Sequence, residues 1–193
     1  MSLKRCKKLT AVLLAVGLIL GLMSIAQAQQ ESGFRAKVGY FMPGDTDVND
    51  LWGSGFTFGA DYLQVFPPYG IDFGVEYFSK EETWTLLGWT VKEDWRVIPV
   101  TATFLFFPSG GEGFSAYMGG GIGYYLTKYG LDIAVPGLTL LAGSLEESGI
   151  GFHVQGGFTL GENFFAELKW STAEIENLGL NAGGLGVVAG YRF

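Results

Sequence analysis

The 193 residues carry 12 basic and 19 acidic side chains, 31 glycines, six prolines and 16% aromatic residues. So acidic a chain has no general electrostatic grip on a phosphate backbone, and no nucleic acid is expected as a partner. The composition is neither collagen-like nor disordered, one domain is the default at this length, and glycine with aromatics suits strands bulky on one face and bare on the other.

Residues 1–28 read as a secretory signal peptide. Lys4, Arg5, Lys7 and Lys8 form a basic start, Leu9 to Ile25 is almost wholly apolar, and Ala26-Gln27-Ala28 fits a cleavage site. The alternative is an uncleaved anchor, but the apolar run is short for a span that needs about 20 residues. The mature chain is then 29–193, starting at Gln29. Cleavage removes the single cysteine, Cys6, and four basic residues, leaving eight against the 19 acidic ones. No later stretch approaches a membrane-spanning helix, so any crossing of a membrane must be by strands.

Eight segments then alternate with a period of two, the pattern of a strand with two unlike faces. Gly33 to Phe41 puts Phe34, Ala36, Val38 and Tyr40 on one side and Arg35, Lys37 and Gly39 on the other. Gly55 to Leu63 sets Phe56, Phe58, Ala60 and Tyr62 against Thr57, Gly59 and Asp61; Gly70 to Phe78 sets Ile71, Phe73, Val75 and Tyr77 against Asp72, Gly74 and Glu76. Val97 to Phe107 and Phe114 to Leu126 follow, with Ile98, Val100, Ala102, Phe104 and Phe106 and then Ala116, Met118, Gly120, Ile122 and Tyr124 outward. Pro99, tolerable near a strand start, would be awkward in mid-ladder. In Ile150 to Leu160, Phe152, Val154 and Phe158 oppose His153, Gln155, Gly157 and Thr159. In Phe164 to Thr172, Ala166, Leu168 and Trp170 oppose Glu167, Lys169 and Ser171, with Phe165 a local exception on the inner face. The chain ends on Leu185 to Phe193, where Leu185, Val187, Ala189, Tyr191 and Phe193 alternate with Gly186, Val188, Gly190 and Arg192.

A terminal strand cannot bury its apolar face under a later element. Apolar outside with polar or small residues inside is the arrangement of a barrel in lipid, and the opposite phase would put cations in hydrocarbon at roughly 2–4 kcal/mol each near the midplane. Connections alternate in length as well. The stretches after the second, fourth and sixth segments are tight, whereas Pro43 to Asp50, Ser79 to Trp95 and Thr127 to Gly149 read as long loops and Ala173 to Asn181 as intermediate. The expected fold is all-β: an eight-stranded antiparallel transmembrane up-and-down barrel.

At this point the sequence resembles the small outer-membrane β-barrel family of Gram-negative bacteria. Ile98 to Phe106, Ala116 to Tyr125 and the terminal Tyr191-Arg192-Phe193 carry the resemblance. It covers the mature chain as a pattern and specifies architecture far better than activity. It implies an outer-membrane location with both termini in the periplasm and long loops outside the cell. It also implies an assembly signal at Tyr191 and Phe193, read by the barrel-assembly machinery after escort by periplasmic chaperones, and contact with outer-membrane lipid and lipopolysaccharide.

No catalytic, metal or cofactor set is expected. His153 is the only histidine, and its bland role is a polar residue hydrogen-bonded in the bore. Ser148 lies near it in sequence, but no third member completes a nucleophilic set. Gly184-x-Gly186-x-x-Ala189 matches a dinucleotide fingerprint in letters only, because no helix can follow it. The charges predicted inward carry more weight: Arg35, Lys37, Lys169 and Arg192 meet Asp61, Asp72, Glu76 and Glu167. Pairing makes such burial tolerable and suggests a plugged bore, against a rival in which the same residues line a solvated channel. Two loops are too apolar for ordinary solvated segments, and exposed apolar surface marks contact sites. Trp84, Leu86, Leu87, Trp89, Ile133, Val135, Leu138, Leu140 and Leu141 form this candidate contact surface, facing a hydrophobic small molecule, lipopolysaccharide or a host surface. The plainer alternative is that the strand ladders run on beyond the membrane and these residues pack on one another.

The leading expectation is a non-enzymatic protein of the outer membrane, serving envelope structure and surface interaction. A route for small hydrophobic solutes through the barrel and sideways into the membrane is the alternative, followed by a lipid-modifying enzyme. A soluble lipocalin-like carrier would need the apolar residues inside.

Overall fold

The computed structural model describes residues 32–45, 53–86, 89–111, 114–135, 138–161, 163–175 and 179–193, without the side chains at 86, 109–111, 135 and 138–141. The leader expected at 1–28 and Leu87 lie outside the described residues, as do the side chains of Leu86, Val135, Leu138, Leu140 and Leu141. The strands are β1 (Gly33–Pro43), β2 (Gly55–Phe66), β3 (Tyr69–Leu86), β4 (Trp89–Gly111), β5 (Phe114–Val135), β6 (Leu138–Leu160), β7 (Phe164–Ile175), β8 (Leu180–Asn181) and β9 (Gly184–Arg192).

From β1 to β7 each strand pairs antiparallel with the next. β9 pairs with both β7 and β1, closing a ring of eight, while the two-residue β8 attaches to the end of β7. Closure leaves no edge within the ring, which is how an antiparallel sheet avoids pairing with strangers. The turn between β6 and β7 is tight because Gly161 adopts φ +64, a left-handed backbone that glycine enters without a Cβ penalty.

Side chains alternate across the wall with the phase that the sequence requires. Phe34, Val38, Tyr40, Phe56, Phe58, Val75, Tyr77, Val100, Phe104, Met118, Ile122, Phe152, Val154, Leu168, Trp170 and Val187 are exposed on the outer surface, whereas Arg35, Lys37, Asp61, Asp72, Thr101, Thr103, His153, Gln155, Glu167 and Lys169 are buried inside. Nine residues of β4, Ile98 to Phe106, carry the outer apolar stripe, enough for a tilted strand to cross a bilayer. Aromatic pairs ring the end that holds the chain terminus: Tyr69 with Phe104 and Phe106, Phe114 with Phe158, and Tyr191 with Phe164 and Phe193.

The structure corrects two expectations. The described residues of 79–95 and 127–149 are strand and not long loops, as in the alternative in which the ladders run on, so that β3, β4, β5 and β6 run 18, 23, 22 and 23 residues. Beyond Phe78 the register of β3 with β2 has ended while its ladder with β4 continues to Leu86↔Trp89. Likewise β6 pairs with β7 only from Gly151, but with β5 over its whole length. Four strands therefore leave the ring as one sheet, about 25 Å long at ~3.3 Å per residue. The reason is that polar and apolar side chains go on alternating there with the faces exchanged. Pro99 is the second correction: it stands in the middle of β4, not near its start. The β3–β4 ladder passes from Val75↔Val100 to Phe78↔Val97 with no pairing at Pro99, as expected of a residue without an N–H.

Two apolar layers close the inside of the ring. Leu63, Val65, Leu105 and Tyr117, with Phe107 against them, fill the end that holds the terminus. Phe78, Trp95, Val97, Tyr125, Ala173, Ile175 and Ala182 fill the other, joined by Phe41, Tyr129 and Leu180. The segment between β7 and β9 reaches this layer because Asn181 ties it down. Its side-chain oxygen accepts from the Ala173 and Gly183 backbone amides, its Nδ2 donates to Thr172 Oγ1, and its own amide donates to Asp45.

Candidate functional site

Between the two apolar layers lies a slab of paired charge. Strand register places Arg35 opposite Asp61 and Lys37 opposite Gly59, which in turn faces Glu76. Arg35 Nε donates to Asp61, and Nη2 reaches Asp72 Oδ2 at 2.9 Å. The same guanidinium stacks over the Phe165 ring, 4.6 Å from its centre. Lys37 Nζ bridges Asp61 at 3.1 Å and Glu76 at 2.9 Å, and Lys169 Nζ donates to Glu76 from the opposite wall. Lys37 can reach Glu76 because residue 59 is glycine; a Cβ there would stand 3.0 Å from Lys37 Cε and 2.9 Å from Glu76 Cγ.

Three cations and three carboxylates thus share ion pairs. Glu167 is held differently, accepting from Tyr117 and Gln155 at 3.1 Å each. Arg192 sits partly exposed at the end of β9, where its carbonyl accepts from Asn163. Losing one member of such a buried pair costs about 3–5 kcal/mol, since its partner keeps an uncompensated charge. A cavity adjoins this slab, bounded by Glu76, Lys169, Phe78, Tyr125 and Val188. The cavity measures about 20 Å³, room for about one water.

His153 and Ser148 do not meet. His153 faces inward with Nε2 2.8 Å from Thr103 Oγ1, whereas the Ser148 hydroxyl pairs with Tyr124 on the outer surface at 2.6 Å. Odd and even positions of one strand point to opposite faces. No group of three or more His, Cys, Asp or Glu side chains among the described residues is arranged to hold a metal ion. The glycines of the nucleotide-like fingerprint lie in β9 itself.

The four-stranded extension is the other region with chemistry. Cross-strand rows on its outer face are Ser79, Arg96, Lys128 and Glu146, then Glu81, Asp94, Gly130 and Ser144. These are water-facing residues, joined by Lys92–Glu81 at 3.1 Å, Arg96–Asp94 at 3.3 Å and Lys128–Glu146 at 3.1 Å. The inner face, continuous with the bore, sets aromatic and aliphatic side chains around three charged ones, Lys80, Glu82 and Glu93. Its rows are Lys80, Trp95 and Tyr129; Glu82, Glu93 and Leu131; and Trp84, Val91 and Ile133. Trp84, Trp89 and Leu145 remain 50%, 48% and 43% exposed. Burial, and then the nearby Glu93, hold the Tyr129 hydroxyl above its ordinary range. Of the expected contact residues, Trp84 and Ile133 fall in these rows. Val91 and Leu131, at the ends of the two apolar stretches, share these rows, and so do Trp95 and Tyr129, which lay outside those stretches although alternation with charged neighbours marks them.

A closed ring of eight antiparallel strands, apolar toward its surroundings and ionic within, defines a transmembrane β-barrel of the outer-membrane type. The chain belongs to the outer membrane protein beta-barrel domain family, whose model matches residues 12–193, and its place is the cell outer membrane. No curated protein matches it in sequence. Among solved structures it is similar to Ail, the attachment invasion locus protein of Yersinia pestis, in complex with the heparin analogue sucrose octasulfate. That likeness has 16% identity and a TM-score of 0.55, over 85% of this chain and all of the other. A major outer membrane protein from Thermus thermophilus is similar at 15% identity and a TM-score of 0.52, over 84% of this chain and 99% of that one.

Proposed function

We propose that this chain is a non-enzymatic outer-membrane protein that contacts other surfaces through the extension of β3–β6, held outside the cell by a barrel that passes no solute. The observation that carries the reading is the contrast within β3–β6. One part is a lipid-facing wall around an interior of buried, paired charges; the other is a projecting sheet with exposed Trp84, Trp89 and Leu145 on one face. A structural share in the envelope comes with the barrel. Both termini then lie in the periplasm, with outer-membrane lipid and lipopolysaccharide around the belt. The exposed Tyr191 and Phe193, rings 5.1 Å apart, are proposed as the signal read by the assembly machinery.

What supports a closed bore over the solute-channel alternative is the filling of the described interior by paired charges between two apolar layers. The ligand of Ail does not transfer by analogy. Sucrose octasulfate is a polyanion, whereas Glu81, Glu82, Glu93, Asp94, Asp132, Glu146 and Glu147 outnumber Lys80, Lys92, Arg96 and Lys128 in this extension.

Two measurements test the proposal. Reconstituted in planar bilayers, the protein should give no large stable openings, and such openings would overturn the sealed bore. Deleting residues 133–141 at the hairpin tip should abolish adhesion of cells bearing the protein while heat-modifiable folding persists. Unchanged adhesion would remove the surface role.

A further inference from the structure

Each face of the extension sets two carboxylates opposite each other across β3 and β4, Glu81 with Asp94 outside and Glu82 with Glu93 inside, and the two pairs differ in how far bases match them. Glu82 and Glu93 stand directly opposite each other across β3 and β4, and like charges so placed destabilise a sheet. On the outer face Glu81, Asp94 and Glu146 each have a base at 3.1–3.3 Å. Inside, Glu82 has only Lys80, at 3.4 Å with both side chains substantially exposed, and Glu93 has no cation within 4 Å among the described residues. The two carboxylates lie between a row containing Trp95 and Tyr129 and a row containing Trp84, Val91 and Ile133. An acidic pair left short of cations, beside an outer pair that has one base for each carboxylate, is where function is to be sought.

We propose that this face receives a basic, amphipathic polypeptide segment, with a Lys or Arg side chain seated between Glu82 and Glu93 and its apolar neighbours laid on Trp84, Trp89 and Ile133. This deepens the surface-contact reading and rests on it. Charge complementarity selects the occupant: a cation relieves the carboxylate pair and is drawn to the adjoining aromatic rings as well. A polyanion would add to the repulsion. A second copy docked through the same face would bring two acidic pairs together. An uncharged apolar ligand would bury Glu93 without a cation and strip water from the Lys80–Glu82 pair, at a desolvation cost that nothing returns.

The test uses the full chain in phosphatidylcholine nanodiscs, whose zwitterionic lipid does not itself collect basic peptides. Two synthetic peptides, one alternating Leu with Arg and the other Leu with Glu, are titrated by calorimetry and tryptophan fluorescence. The Arg peptide should bind and the Glu peptide should not. The double variant E82Q/E93Q should weaken binding by about tenfold or more, as expected when a complementary charge pair is removed from an interface. The outer-face variant E81Q/D94N should leave it unchanged, and both should keep their heat-modifiable fold. Equal affinity of E82Q/E93Q and the unaltered chain, binding of the Glu peptide, or an equal loss in E81Q/D94N would each overturn the cation seat. So would the absence of any binding. Loss of the Arg peptide in W84A/W89A alone would overturn the acidic seat yet leave an apolar contact face. Unaltered adhesion after deletion of 133–141 would instead strike the surface role itself.

Discussion

Two parts of strand β4 face opposite problems. From Ile98 to Phe106 the exposed side chains of the outer surface are Val100, Phe104 and Phe106, and Thr101, Thr103 and Leu105 are buried. From Trp89 to Val97 the outer positions are Lys92, Asp94 and Arg96, while Val91, Trp95 and Val97 are buried on the inner face. The backbone does not change: the ladder to β5 runs in one register from Thr90↔Ala134 to Phe106↔Met118. What changes is the solvent outside the wall. Lipid rewards apolar side chains on the outer surface and leaves charges to pair within, whereas water takes the charges outside and leaves the aromatics to each other. The inversion falls at one level on neighbouring strands, where Tyr77, Ile98 and Leu126 end the outer stripe and Phe78, Val97 and Tyr125 begin the inner layer.

Substitutions on the two sides of that level should differ in kind. Arg35→Ala leaves Asp61 and Asp72 without their guanidinium and should cost about 3–5 kcal/mol in reversible urea unfolding in bilayers. Trp95→Ala opens the apolar layer at the mouth and should cost a comparable ~3–5 kcal/mol. Val154→Arg puts a cation in the lipid belt at about 2–4 kcal/mol, while Ala142→Arg on the outer face of the extension should stay within roughly 0.5 kcal/mol of the unaltered chain. Trp84→Ala, half exposed above the mouth, should cost about 1 kcal/mol or less. Arg96→Ala breaks an exposed pair and should likewise move stability by under ~1 kcal/mol, less at high salt. Equal costs for Arg35→Ala and Arg96→Ala would erase the distinction between slab and surface.

The faces of the barrel strands were legible because charge and period two agree: Arg35 and Lys37 allow only one phase for β1, as Asp72 and Glu76 do for β3. The extension could be read only as an alternative to long loops, because its apolar stripe changes sides. Tyr77-Phe78, Val97-Ile98 and Tyr125-Leu126 are apolar doublets in which both faces are greasy at once, and each reads as the end of a strand when only the outer stripe is followed. They mark the level at which the surroundings change. The kinds of charge in the bore could be read from alternation, but not their partners. Arg35 meets Asp61 and Asp72 because of strand register, and Lys169 meets Glu76 across the width of the ring. The closure by Ile175, Leu180 and Ala182 was invisible for a third reason: it depends on the hydrogen bonds of Asn181, which no periodicity announces.

The exchange of faces can be measured directly by placing a nitroxide label at single cysteines along β4, from residue 92 to residue 106, in a chain with Cys6 replaced. Collision with oxygen and with a water-soluble nickel complex then reports the medium at each site. Labels at 100, 104 and 106 should be open to oxygen and closed to nickel, and labels at 92, 94 and 96 the reverse. Oxygen accessibility continuing unbroken through 92, 94 and 96 would contradict the account.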